Sequence, residues 1–424
     1  MADHMPEVAI VGAGIAGLTF ALLLHEKGIS CRVYERAEGI EPLGVGINIL
    51  PHAARVLDRL GLTEALSRRA VLTKEAAFFN RFGQLIYREP LGRDAGYATP
   101  QFSIHRGDLQ EVLLEAVLER LDPDRLVLGA TCTGFEQDAH AVRLSLEATP
   151  TGEALPPAAA AVAIACDGIH SVIRRQLHPD EGPPKYSGIY MWRGVTRWPP
   201  FLSGATMVRA GWFRPGKLVA YPIRDNVDGN GAQLVNWLVE VETPPPEESR
   251  DWLREGRVED FIAPMADWHF DWLDVPAMLR AADVVLEFPM VDQDPLPFWT
   301  AGRVTLMGDA AHPMVPRGSN GAGQAILDAE RLADGLARTR PEDWPAALKA
   351  YEADRLEATA RVVLTNRIAP PDIVLKEVRD RTGDRPFRAI DDVISHDELV
   401  AIQRRYKEIA GYDLDRLRRT EAGV

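Results

Sequence analysis

Cysteine is scarce in this sequence: Cys31, Cys132 and Cys166 are the three among 424 residues. They lie far apart, each in an apolar or strand-like run. That sets aside a disulfide-stapled scaffold and a clustered metal site, and reads as core packing in a reducing compartment. Positive charge is short as well. Lys and Arg number 48 against 62 Asp and Glu, a formal net charge of -14, which excludes the basic face that a nucleic-acid partner needs. No stretch after Leu24 approaches the roughly 18 to 20 apolar residues of a membrane span. The composition, 46% hydrophobic and 26% charged, is that of an ordinary globular chain, and the length calls for one large or two medium domains. The expectation is a cytosolic protein, monomer or homodimer, without membrane or nucleic-acid partners.

What the chain does have opens near its start. "EVAIVGAGIAGLTFALLLHEKGISCRVYER" carries no charge from Val8 to Leu24 and holds Gly12, Gly14 and Gly17. A secretion signal would begin with cationic residues, whereas "MADHMPE" is acidic on balance. A spanning helix would be longer and freer of glycine. A nucleotide-binding unit accounts for every glycine: strand Val8 to Val11, turn Gly12 to Gly17, helix Ala16 to Lys27 with Gly28 at its C-cap, and strand Cys31 to Tyr34 ending at Glu35. The first glycine permits the tight turn, the second lets a pyrophosphate approach the backbone, and the third lets helix lie close on strand. The acid after the second strand accepts ribose hydroxyls.

The strand–helix units that would complete a nicotinamide domain do not follow. Two further strands instead end at polar turns: Val162 to Cys166 with exit Asp167-Gly168 and a short helix Ser171 to Leu177, and Val304 to Met307 with exit Gly308-Asp309 and a helix from Ala322 to Arg338. In open α/β sheets ligands bind beyond the carboxyl ends of strands, so the three exits should meet at one cofactor. Each Asp taken singly could equally cap its own turn. Between the second and third strands, Tyr186 to Trp299 hold eight of the nine tryptophans, and runs such as "SGIYMWRGVTRW", "KLVAYPIR" and "AQLVNWLVEVE" alternate as an antiparallel sheet does. "ETPPPEESRD" is a polar loop, and Leu155 to Ala161 is an Ala/Pro patch. Trp344 to Arg367 is a long helix stopped by "APP", and the amphipathic tail beyond it docks on the body or on a second subunit.

"GAGIAG", "CDGIHS" and "LMGDAAHPM", in that order, resemble the motifs of the single-component FAD-dependent aromatic hydroxylases, the class of para-hydroxybenzoate and salicylate hydroxylases. "PLGVGINI", "SIHRGDLQ", "MWRGVT", "VAYPI", "PMVDQDPLP" and "NGAGQAILD" bring the likeness closest to the phenazine hydroxylase branch, over Glu7 to Arg367. The resemblance implies an α/β fold. A Rossmann-like FAD-binding domain with a parallel sheet (1–180 and 299–370) is interleaved with an antiparallel-sheet substrate domain (181–298), and a helical tail (371–424) follows. It implies FAD cradled by Gly12, Gly14, Ala16 and Gly17, with Glu35 and Arg36 at the adenosine end and Val45 and Gly46 beside the isoalloxazine. Arg106 reaches the pyrophosphate or linker, Asp309 the ribityl or pyrophosphate end, and Cys132 and Asp167 support the cofactor. The helix start at Gly321, Ala322 and Gly323 aims N–H groups at the negative edge of reduced flavin. The implied reaction takes NADH or NADPH and O2 and hydroxylates a small aromatic or N-heteroaromatic substrate through a flavin C4a-hydroperoxide, with or without decarboxylation. A peroxide of that kind needs a dry pocket.

Arg193, Tyr221 and Trp237, on predicted strands, are the candidate catalytic residues lining that pocket, with core packing or surface polarity as the plainer reading of each. Arg106 could be a surface residue at a helix start. His52 and His312 could move protons or simply complete hydrogen bonds. No second G-x-G-x-x-G, no paired redox cysteines and no W-x-W-x-x-P occur, which disfavours two-dinucleotide enzymes and halogenases. An FAD oxidase or dehydrogenase, and a non-catalytic flavin-binding sensor, stay as alternatives.

Overall fold

Val8–Val11, Val162–Ala165 and Val304–Leu306 are buried along their whole length. Such unbroken apolar strands belong to a parallel sheet covered on both faces. The computed structural model, which describes residues 7–40, 45–244 and 254–421, places them side by side. The six-stranded sheet runs Thr300–Ala301, Val304–Leu306, Val162–Ala165, Val8–Val11, Cys31–Tyr34, Leu126–Val127. Its register puts Leu306 opposite Ala165, Ala165 opposite Val11, and Val11 opposite Tyr34. Four strands from distant parts of the chain therefore end in one row, about 4.8 Å apart. The helices Ile15–Glu26 and Gly321–Ala337 pack on this sheet and against each other.

The tryptophan-rich middle forms a seven-stranded sheet in the order Val285–Asp292, Lys185–Trp198, Gln233–Glu242, Gly216–Arg224, Thr206–Trp212, Glu75–Phe79, Leu85–Pro90. Its neighbours are antiparallel as expected, save that Thr206–Trp212 runs parallel to Glu75–Phe79. Glu75–Phe79 and Leu85–Pro90 lie within 1–180, where an FAD-binding domain is expected, and instead extend one edge of this sheet. One face of the sheet packs Trp237, Trp268, Phe261 and Met265 into a core closed by the helix Val275–Arg280. The other face carries Met191, Val219, Tyr221 and Leu238, and its strand Gly216–Arg224 lies against a smaller sheet. Gly46–Ile49, Gln101–His105 and Ala70–Thr73 make a three-stranded sheet of their own. The Ala/Pro patch is an edge strand, Ala154–Ala160, where Pro156 and Pro157 need no ladder N–H. Part of the glycine-rich loop after Glu35, at 41–44, and most of the polar loop with Trp252, at 245–253, lie outside the described residues.

The tail docks on the body. Its helices Ile373–Thr382, His396–Ala410 and Leu414–Glu421 bury Val374, Leu375 and Leu399 against Phe78 and Ile86, and Tyr406 and Tyr412 beside Leu50 and Tyr97. The Tyr97 hydroxyl donates to the Tyr412 carbonyl at 2.6 Å. Tyr406 matters most, because its hydroxyl donates to Asn366 Oδ1 at 2.6 Å and accepts from Asn320 Nδ2 at 2.9 Å, bracing the loop that enters the helix Gly321–Ala337. Gly318 in that loop has φ +80, and a Cβ there would lie 1.8 Å from the Tyr406 hydroxyl. Gly318→Ala should therefore cost more than the roughly 1 to 2 kcal/mol of a left-handed alanine, seen as a lower Tm. A Gly318→Ala protein melting like the parent would contradict this packing.

Candidate active site

The glycine turn is held from below and open above. Gly12 N donates to the Tyr34 carbonyl at 2.7 Å. A Cβ at Gly12 (φ +99) would meet the Cys166 carbonyl oxygen at 2.5 Å, and one at Gly17 would meet the Gly12 carbonyl oxygen at 2.0 Å. At Gly14 a Cβ would meet nothing within 4 Å. Gly12 and Gly17 thus let strand, turn and helix close on one another, and Gly14 leaves backbone bare towards the cavity. Glu35 accepts Ala13 N at 2.7 Å and Ala37 N at 2.9 Å, one on each carboxylate oxygen, and retains lone pairs for further donors. Arg36 beside it is exposed.

Asp167, at the exit of Val162–Ala165, accepts Val172 N on Oδ2 at 3.0 Å, while its Oδ1 is buried with no partner among the described residues. Burial raises its carboxyl pKa. Cys132, buried on a neighbouring strand, feels the Asp167 charge, and its thiol is pushed up to about 11, mostly by burial. Arg174 joins this exit to the next: its Nη1 donates to the carbonyls of Ala310 and Ala311 at 2.8 and 3.0 Å, and the guanidinium pairs with Glu181. A bare glycine, an acceptor-rich Glu35 and the orphaned oxygen of Asp167 around one row of strand ends fit the FAD that the sequence resemblance implies. Polyol hydroxyls and a pyrophosphate need such acceptors and bare N–H groups.

At the third exit, Gly308-Asp309, the buried Asp328 of the following helix does the holding. It accepts Gly308 N at 3.2 Å, His312 Nε2 at 2.6 Å and Arg355 Nε at 2.7 Å. Burial by itself would raise the Asp328 carboxyl, but His312 and Arg355 outweigh it and keep it below the usual range. His312 thereby has a structural partner. His52 lies against Gly323 and Tyr412, and burial lowers its pKa to about 3, so it stays neutral. Neither histidine lines the cavity.

That cavity, of about 290 Å³, runs from the glycine turn to the inner face of the seven-stranded sheet. Gly14, Ala16, Arg106 and Asp309 line it, as do Gly46, Gly321 and Ala322. Of the three candidate catalytic residues, Arg193 and Tyr221 reach it. Both donate to the Gly46 carbonyl, each at 2.8 Å, and Gly46 N donates to Asn236 Oδ1 at 2.7 Å. Burial raises the Tyr221 phenol and lowers Arg193, so the phenol stays a proton-bearing donor. Trp237 is not brought there. It lies on the opposite face of its strand, fully buried, with Nε1 donating to Thr196 Oγ1 at 2.9 Å. Side chains alternate along a strand, so Asn236 meets Gly46 and Leu238 the cavity on one face, while Trp237 between them faces the core. Gly12, Gly17, Glu35, Val45, Cys132, Asp167 and Gly323 stand behind the lining; Val45 supports Arg106, whose N donates to its carbonyl at 3.0 Å.

Asn48, Arg209, Lys217, Glu240, Arg317 and Asp372 also line the cavity and are not among the residues that the motifs nominate. For some of them a signal existed. Lys217 and Val219 share the parity of Tyr221, and Glu240 shares that of Leu238, so the alternation that nominated Tyr221 also aims Lys217 inward. Asp372 had no such signal, since it belongs to the tail.

Comparison with known proteins agrees with this geometry. The FAD binding domain family matches residues 5–366. Phenazine 1,6-dicarboxylic acid hydroxylase of Lysobacter antibioticus is 42% identical over 407 residues, covering 95% of this chain and 97% of the relative. The 6-hydroxynicotinate 3-monooxygenase of Pseudomonas fluorescens is 30% identical over 373 residues, covering 85% and 90%. Among solved structures, a salicylate hydroxylase substrate complex shares the fold with TM-score 0.72 at 22% identity, covering 100% of this chain and 99% of that one.

The Asp328 knot gives a pH prediction. A carboxyl held below its unfolded value stabilises the fold fully above that value, about 3.9, and the contribution fades as pH falls through the lower folded value. The parent should keep this contribution unchanged from neutral pH to about pH 5 and lose it below about pH 4. Asp328→Asn should lose about 3 kcal/mol at neutral pH, because it leaves Arg355 partly unpaired in the interior. Chemical denaturation at several pH values measures both, and equal stability of mutant and parent at neutral pH would refute the assignment.

Proposed function

The chain belongs to the FAD binding domain family of flavin-dependent aromatic hydroxylases, and from that premise we propose that it uses NAD(P)H and O2 to hydroxylate a small aromatic or N-heteroaromatic ring. The observation that carries this reading is the single cavity joining the glycine turn and Asp309 to the face of the seven-stranded sheet. Bound FAD would supply the redox chemistry, acceptance of a hydride from the nicotinamide and activation of dioxygen, for a reaction in which one oxygen atom enters the ring and the other, with a proton from solvent, becomes water.

The chain's own groups do the rest. Gly14 and the Asp309 carboxylate hold the cofactor at the strand ends, with Arg106 opposite negative charge. The backbone N–H groups at the start of Gly321–Ala337 would favour negative charge on a cofactor held in the cavity. Met191, Val219, Leu238 and Met314 make apolar wall and keep water from the reacting centre. Arg193 and Tyr221 fix the Gly46 carbonyl, so the strand leaving the glycine loop cannot swing into the space meant for the ring. The two named relatives act on nitrogen-containing rings, which supports an N-heteroaromatic substrate.

The test is a panel of phenazine-1,6-dicarboxylate, 6-hydroxynicotinate and their carboxamides, mixed with the yellow protein and NADH or NADPH. The expected result is that at least one ring compound accelerates flavin bleaching and yields a product with one added oxygen, with matching O2 uptake; product mass also reports any loss of CO2. Bleaching by a ring compound without nicotinamide would make the protein a dehydrogenase, and a flavin that never bleaches would make it a sensor. Asp309→Ala should purify with little flavin, since a charge-assisted hydrogen bond is worth about 1.5 to 3 kcal/mol. Full flavin occupancy in that variant would count against the placement.

A further inference from the structure

Five charged side chains stand together in the part of the cavity formed by the seven-stranded sheet, the loop at Gly318 that enters the helix Gly321–Ala337, and the tail. Arg209 Nε pairs with Asp372 Oδ1 at 2.8 Å, and Lys217, itself 1% exposed, pairs with both Glu240 and Asp372. The fifth, Arg317, is 7% exposed, and its nearest carboxylate, Glu240 Oε1, is 3.7 Å from Nε. That is beyond hydrogen-bonding distance. Its Nε and Nη2 are buried with no hydrogen-bond partner among the described residues. Three cations thus face two carboxylates, and the pairings engage Lys217 and Arg209 while Arg317 is left over.

A buried guanidinium with unused N–H groups is costly unless an anion completes it. Its planar fork matches a carboxylate, with two parallel N–H donors for two oxygens. The guanidinium lies over the Phe213 ring at 4.7 Å, which fixes its plane while leaving its edge free to donate. Position also suits. Lys217 is four residues from Tyr221 along one strand, about 13 Å, so this cluster sits a ring's length or more from the Gly46 clamp.

We propose that Arg317 is a specificity-determining residue that takes a carboxylate borne by the substrate ring, with the Lys217–Glu240–Asp372 network holding it in place. The proposal rests on the hydroxylase reading for its ring but concerns binding alone. Asp372 makes the tail part of the site, since the network is incomplete without it.

The ring acids of the panel above and their carboxamides test this in the FAD-loaded protein, with binding followed by the change in flavin absorbance or by equilibrium dialysis. The parent should bind at least one acid about ten-fold or more tighter than its amide. Arg317→Gln should bring that acid-to-amide ratio close to one, and Arg317→Lys should keep part of it. The ratio is an internal control, because a merely loosened pocket would weaken acid and amide together. Equal binding of acid and amide by the parent, or an undiminished ratio in Arg317→Gln, would overturn the assignment. Acid-selective binding without hydroxylation would sink the proposed reaction and leave the Arg317 assignment standing.

Discussion

Four strand ends in one row are the constraint from which the rest follows. Parallel pairing aligns Tyr34, Val11, Ala165 and Leu306, so the residues just beyond them, Glu35, Gly12, Cys166 and Met307, must also lie abreast. Chain segments some 300 residues apart in sequence then meet along one edge, which brings Gly12, Gly14, Glu35, Asp167 and Asp309 to the same end of the sheet. The links between neighbouring exits reinforce the alignment. Arg174 reaches from the second exit to the carbonyls of the third, and Asp328 pins the third to its own helix.

A binding edge needs something to face, and that second surface is registered to the first through very few atoms. The Gly46 carbonyl takes hydrogen bonds from Arg193 and Tyr221, and Gly46 N gives one to Asn236. Three strands of the seven-stranded sheet are thereby tied to the strand leaving the glycine loop. The fit is close enough that a Cβ at Gly46 would stand 2.6 Å from that of Asn236. From the other side, Tyr406 of the tail supports the loop at Gly318 and Asn320. The tail is therefore a structural part of the catalytic unit, bracing the loop and lending Asp372 to the cavity.

The cavity has two characters that pull against each other. Oxygen transfer wants apolar walls, and Met191, Val219 and Leu238 provide them. Buried charge in such surroundings is tolerated only in pairs. Arg209, Lys217, Glu240 and Asp372 meet that condition among themselves. Arg317 meets it incompletely, and this is why the polar end of the cavity reads as a place for an anion.

Sequence alone determined the local units. The apolar run Val8 to Val11, the glycine spacing and Glu35 are contiguous, and each element is dictated by the residues within it, so strand, turn and helix were legible within a residue or two. The three polar exits after buried strands pointed to one shared binding edge, and the family resemblance carried the rest of the fold class. Only the tertiary structure decided which side chains meet. Trp237 and Tyr221 looked alike as aromatic residues on predicted strands, yet sheet packing sends the first into the core and the second to Gly46. Glu75–Phe79 joined a sheet built from residues more than a hundred positions later, and Asp372 came to Lys217 from the tail. The physical reason is range. Helix and strand periodicity is set by neighbours a few residues apart, whereas a buried ion pair between segments 155 residues apart, as 372 and 217 are, leaves no periodic trace in either.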